Sequence, residues 1–114
     1  MIAKVQRINV YHVQQLAYFF GKLKATPDGD GTLLDHTVLI YGSGLSDGNR
    51  HQHNNLPLLL GGGVNGTIRQ GRHIQYAKDT PLENLFLALL DRMGVKEEHL
   101  GDSNGELQHL SDLT

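Results

Sequence analysis

Two short apolar runs separated by a glycine-rich polar loop constrain the fold of this chain more than any other feature. Val38-Leu-Ile-Tyr41 ends at Gly42-Ser-Gly-Leu-Ser-Asp-Gly48, which cannot continue a strand, and Leu56-Pro-Leu-Leu-Leu60 is closed by Gly61-Gly-Gly63. Both runs have the length of buried strands. The segment between them holds Asp47, His51 and His53 and is predicted to emerge at the carboxyl end of the first strand, the edge where open α/β sheets place ligand sites. Glycine supplies 14 of the 114 residues, concentrated between Gly29 and Gly71, as short strands with tight connections require.

Helical periodicity brackets these strands. From Ile2 to about Lys24, Val5, Ile8, Val13, Leu16, Phe19, Phe20 and Leu23 recur at three- and four-residue spacing, which predicts a long amphipathic helix. It starts without a capping residue, so the helix or its lead-in is expected to continue upstream in a longer protein. Thr80-Pro-Leu-Glu83 reads as a capping box, with Thr80 as N-cap, Pro81 at the first helical position and Glu83 reaching back. Leu82, Leu85, Phe86, Leu89, Leu90 and Met93 form the apolar face that follows, and Gly94 is placed to end it in the left-handed conformation. Arg69, Arg72 and His73 fall in a polar stretch read as a short strand or hairpin. The tail from Lys96 is polar, with Leu100, Leu107, Leu110 and Leu113 as spaced anchors that wrap a surface. The expected architecture is therefore α/β: a single domain over residues 1–114, in the order helix, strand, histidine loop, strand, helix, irregular tail.

Composition removes several classes of function. A net charge of −2 with Lys and Arg scattered along the chain leaves no electrostatic footprint for nucleic acid or an anionic membrane surface. No apolar run approaches the roughly 18–20 residues of a membrane span. Without cysteine, disulfides, thiolate ligands and thiol nucleophiles are excluded. Ala25-Thr-Pro-Asp-Gly-Asp-Gly-Thr32 reads as a turn: a calcium loop starting at Asp28 would need oxygen ligands, including a carboxylate, where Thr32 and Leu39 stand. The triple glycine opens no phosphate-binding pattern, and Gly42-Ser43-Gly44 lacks the spacing of a nucleophile elbow, so neither Ser43 nor Ser46 is read as a nucleophile.

His51 and His53, two residues apart in a loop, can converge on one divalent metal such as zinc. Asp47, Asn54 or a histidine brought in by folding could complete the set. Spacing alone leaves a second reading open, in which both are ordinary loop residues bonded to neighbouring carbonyls. His12 is read as partly buried beside the first helix's apolar face, and His36, His73, His99 and His109 as solvent-exposed.

The stretch Leu34-Asp-His-Thr-Val-Leu-Ile-Tyr-Gly-Ser-Gly-Leu-Ser-Asp-Gly-Asn-Arg-His-Gln-His-Asn-Asn-Leu-Pro57, followed by Leu-Leu-Leu-Gly-Gly-Gly, Thr80-Pro-Leu-Glu-Asn-Leu85 and Gly101-Asp-Ser103, closely resembles the carboxyl-terminal section of the HxxSHH proteins, a bacterial family of unknown function. The resemblance implies that the naming histidine motif lies upstream of Met1, and that the chain is the carboxyl-terminal part of a larger domain in an exported or periplasmic protein. That family is similar in arrangement to the alkaline-phosphatase and sulfatase superfamily, a sheet between helices with metal ligands at strand ends. By that similarity the chain is a fragment of a three-layer helix-sheet-helix sandwich, and His51, His53 and Asp47 are its candidate ligands for a divalent metal. The metal would serve phospho- or sulfo-ester hydrolysis in the parent protein. This chain has Ser43-Gly44 where those enzymes carry an Asp-His or Asp-Asn pair at the strand end. The alternative is a non-catalytic module on the same scaffold whose loop meets a surface glycan or partner. Short strands with open edges and a long apolar helix also predict self-association.

Overall fold

A computed structural model describes residues 1–112; Leu113, read above as a tail anchor, lies outside them. The first helix, α1, spans Ile2–Ala25, as its periodicity predicts, with Met1 as N-cap and no side-chain cap among the described residues. Thr26 is extended and begins a tight hairpin of β1 (Pro27–Asp28) and β2 (Gly31–Thr32). Its two-residue turn puts Gly29 at φ +58°, where a primed turn needs a residue free of Cβ strain. β3 (Leu39–Gly42) then pairs with β4 (Leu58–Gly61) antiparallel, with Ile40 opposite Leu60 and Tyr41 opposite Leu59. The chain is thus a small mixed α/β domain with two helices, α1 and α2 (Glu83–Arg92), and two two-stranded antiparallel sheets. The histidine loop joins the two strands of an antiparallel pair, so it lies at the carboxyl end of β3 and the amino end of β4.

The two faces of the β3–β4 pair meet different partners because side chains alternate along a strand. On one face the Phe20 ring of α1 lies against Gly61, where any Cβ would overlap it. On the other, Val38 and Leu60 pack with Leu85, Ala88 and Leu89 of α2 and with Val64, Ile68 and Leu110, which form the buried core. The β4 exit is tighter still. Gly62, at φ +97°, lies so close to the Thr37 carbonyl that a side chain would overlap it, and the backbone N–H groups of Gly63 and Val64 bond to Leu34 O (3.0 Å) and Thr37 O (3.4 Å). Val64 has φ +43°, unusual for a β-branched residue, and is held there by burial in the core.

The start of α2 departs from the capping box. The Thr80 hydroxyl donates to Ala77 O at 2.7 Å, and its backbone N–H bonds to the same carbonyl at 3.2 Å, closing a turn with Asp79 at φ +63°. With Thr80 captured by that turn, Leu82 becomes the N-cap, and tightened bonds from Asn84 N to Pro81 O and Leu85 N to Leu82 O lead into the helix. The other end follows expectation: Gly94 is left-handed at φ +82°, its N–H reaches Asp91 O, and Val95 N reaches Leu90 O, a Schellman closure. Residues 69–76 form no strand; Arg69 N bonds instead to Leu110 O at 2.8 Å. The tail does wrap the core. Leu110 is buried, Leu107 packs beside it, and Arg72 donates to the carbonyls of His109 and Asp112, whereas Leu100 stays exposed.

α1 is where the chain buries least. None of its residues is buried; Leu16, Phe20 and Leu23 are half-buried, and Ile2, Val5 and Ile8 stay open to solvent. His12 is exposed as well, because the helix projects past the sheet instead of lying along it. The dimensions agree: the radius of gyration is 15.7 Å, against roughly 13 Å for a compact chain of this length. The accessible surface is 8570 Å², against roughly 6200 Å² for a folded monomer of this mass. α1 carries Lys4, Arg7, Lys22 and Lys24 and no acidic residue.

Gly62→Ala should destabilise the fold by at least about 3 kcal/mol, because a positive φ and a carbonyl collision act together. Gly94→Ala, with open space around it, should cost only about 1 kcal/mol. Urea unfolding of both variants checks the ranking, and equal losses would contradict it.

Candidate functional site

The loop after β3 folds back on itself. Ser46 N donates to Gln52 O at 2.9 Å and Gln52 N to Asp47 O at 3.1 Å, so Asp47 and Gln52 form a small antiparallel bridge. Between them the Asp47 carboxylate accepts the N–H groups of Asn49 (2.9 Å) and Arg50 (3.1 Å) through Oδ1, the local bonding that makes Asp a turn former. Its Oδ2 lies 3.8 Å from Arg50 Nε. Asp47 is half-buried and committed to shaping the turn, which brings His51 round at φ +54°.

His53 is exposed and its ring is anchored. Nδ1 lies 3.2 Å from the Gly44 carbonyl oxygen, which can only accept, so Nδ1 carries the proton. In the neutral ring Nε2 is then left with its lone pair outward. A backbone carbonyl fixing one imidazole nitrogen is the arrangement that orients histidines toward metals. Asp47 and His51 therefore belong to one turn, and His53 follows directly after the bridge that closes it. Among the described residues, however, no group of three or more His, Asp or Glu side chains is arranged to hold a metal ion. The serines of the loop are structural: Ser43 Oγ accepts the Leu45 N–H at 3.1 Å, and Ser46 Oγ leans on Gln52 O at 3.5 Å.

A second polar cluster escaped the sequence reading. His36, expected in solvent, is half-buried, with Nδ1 at 2.8 Å from Asp28 Oδ2 and Nε2 at 3.2 Å from Asp30 Oδ1. The signal lay in the two Asp-Gly pairs: the hairpin they form carries both carboxylates to the residue that follows its return. Beside it, Asp35 Oδ2 accepts both the N–H and the hydroxyl of Thr32 at 2.8 Å, and these bonds hold its carboxyl below the usual aspartate range. His73, His99 and His109 are exposed, as read from the sequence. In comparisons with known proteins, the chain matches no family model, no curated protein and no solved structure.

The turn's dependence on Asp47 is testable. Asp47→Ala should speed amide exchange at Asn49 and Arg50 at least tenfold, while Asp47→Asn, which keeps an accepting oxygen, should leave them near native. Equal exchange in the two variants would show that the carboxylate does not hold the turn.

Proposed function

We propose that this chain is the carboxyl-terminal part of a larger exported protein of alkaline-phosphatase-like architecture, to which it contributes His51 and His53, with Asp47 beside them, as divalent-metal ligands. The observation that carries the proposal is the His53–Gly44 bond, which fixes the ring and leaves Nε2 as a donor on an exposed turn. The β3–β4 pair supports the layered scaffold, since α1 touches one face through Phe20 and α2 the other through Val38 and Leu60. The open face of α1 is what a helix that packs against more protein would present. A divalent metal bound in the complete site would supply electrophilic assistance to phospho- or sulfo-ester cleavage. This chain's own residues supply orientation and lone pairs.

Asp47 favours a second reading. Its carboxylate is already engaged by two backbone N–H groups, which leaves the loop short of the acidic ligand a hydrolytic centre uses. A non-catalytic module that presents the same loop to a surface glycan or a partner, and that self-associates through α1, fits that commitment.

Zinc titration by calorimetry discriminates the two readings. The metal-ligand reading expects weak uptake by the 114-residue chain. His51→Ala and His53→Ala should each lower the affinity at least tenfold, about 1.4 kcal/mol. Unchanged uptake in both variants, or none in the parent chain, would leave the binding module as the better account. Self-association is read separately by light scattering: Val5→Ser with Ile8→Ser should lower the mean mass at high concentration, and a parent chain monomeric throughout would contradict it.

A further inference from the structure

We propose that the β1–β2 hairpin is a pH-sensitive clamp, closed when protonated His36 bridges Asp28 and Asp30 and loosened when the ring loses its proton. The geometry favours a charged ring: Nδ1 hydrogen-bonds to Asp28 and Nε2 lies within ion-pair distance of Asp30. Both ring nitrogens face carboxylate oxygens, at 2.8 Å and 3.2 Å, and an ionised carboxylate only accepts. A neutral imidazole has one N–H and one lone pair, so one of the two contacts would become lone pair against oxygen. Only the imidazolium satisfies both.

The neighbouring groups support this assignment. Asp28 comes from β1 and Asp30 from the hairpin turn. Asp35, next to the ring in sequence, is turned toward Thr32 by its own bonds, and Lys24 at the end of α1 acts on Asp35. Gly31 passes close beneath, where a side chain would press on Asp35 and on Nε2 of the ring. The Asp28 hydrogen bond is the main influence raising the His36 pKa above its ordinary value of 6.5, with the charges of Asp28 and Asp30 adding to it and partial burial opposing them. A folded-state pKa above the unfolded one stabilises the fold fully below the unfolded value, and the contribution disappears as pH rises through the folded value. The clamp therefore opens as pH rises through a midpoint above the ordinary histidine value.

What it holds is the foot of α1. The helix packs on β2, and the connection after the hairpin bonds back to it through Leu33 N to Thr26 O (3.0 Å) and Leu34 N to Leu23 O (3.4 Å). Loosening the hairpin frees the seat from which the helix projects.

The test is an NMR titration of His36 in the full chain, in Asp28→Asn and in Asp30→Asn, with thermal unfolding of the parent and His36→Gln across the same pH range. Removing Asp28 should lower the His36 midpoint, and removing Asp30 should lower it by less. The stability advantage of the parent over His36→Gln should shrink as pH rises through the His36 midpoint, a difference from which groups common to both cancel. A His36 midpoint unmoved by either aspartate variant would overturn the proposal. So would a parent-minus-variant difference that stays constant with pH.

Discussion

The approach of the β4 exit to the Thr37 carbonyl is the constraint around which the other contacts arrange themselves. Gly61 admits the Phe20 ring on one face of the sheet, and Gly62 lets the backbone turn beside Thr37 with no side chain in the way. The N–H groups of Gly63 and Val64 then tie the chain back to the lead-in of β3. Val64 is swung into the core at a backbone angle its branched side chain disfavours, and its burial in the cluster that includes Leu85, Ala88 and Leu89 offsets the strain. Helix, sheet and tail meet within a few residues of this crossing. It is also why a core of modest size can organise the fold at all.

Local features of the chain were legible in its sequence where one interaction dominated. The periodicity of Val5 to Leu23 located α1 within a residue of its end, and Gly94 closed α2 as its position indicated. The two apolar runs became β3 and β4, each displaced by a residue or two from the runs themselves. Legibility failed where two local partners competed. Thr80 could cap a helix or close a turn on Ala77, and the turn prevailed because both its hydroxyl and its N–H reach that one carbonyl. Amphipathicity gave α1 an apolar face and said nothing of what covers it, which is how His12 came to stand in solvent.

The two histidine sites illustrate the same division. Spacing drew attention to His51 and His53, but the orientation of the His53 ring depends on a carbonyl nine residues back in sequence at Gly44. His36 had no partner at a telling interval. Its environment arises only when Gly29 turns the hairpin and returns Asp28 and Asp30 to its ring, a relation of tertiary structure that no periodicity encodes.

The composition of α1 has an electrical consequence. The chain carries 10 basic and 12 acidic residues, and with four of the basic ones and none of the acidic ones on that helix, the remainder holds six against twelve. A near-neutral total thus conceals an uneven division, a net +4 on α1 against a net −6 on the rest of the chain. At low ionic strength the helix therefore has a preference for negative charge and the body for positive, without the clustered basic patch that holding a polyanion requires. Ordinary salt confines that preference to separations of about 8 Å.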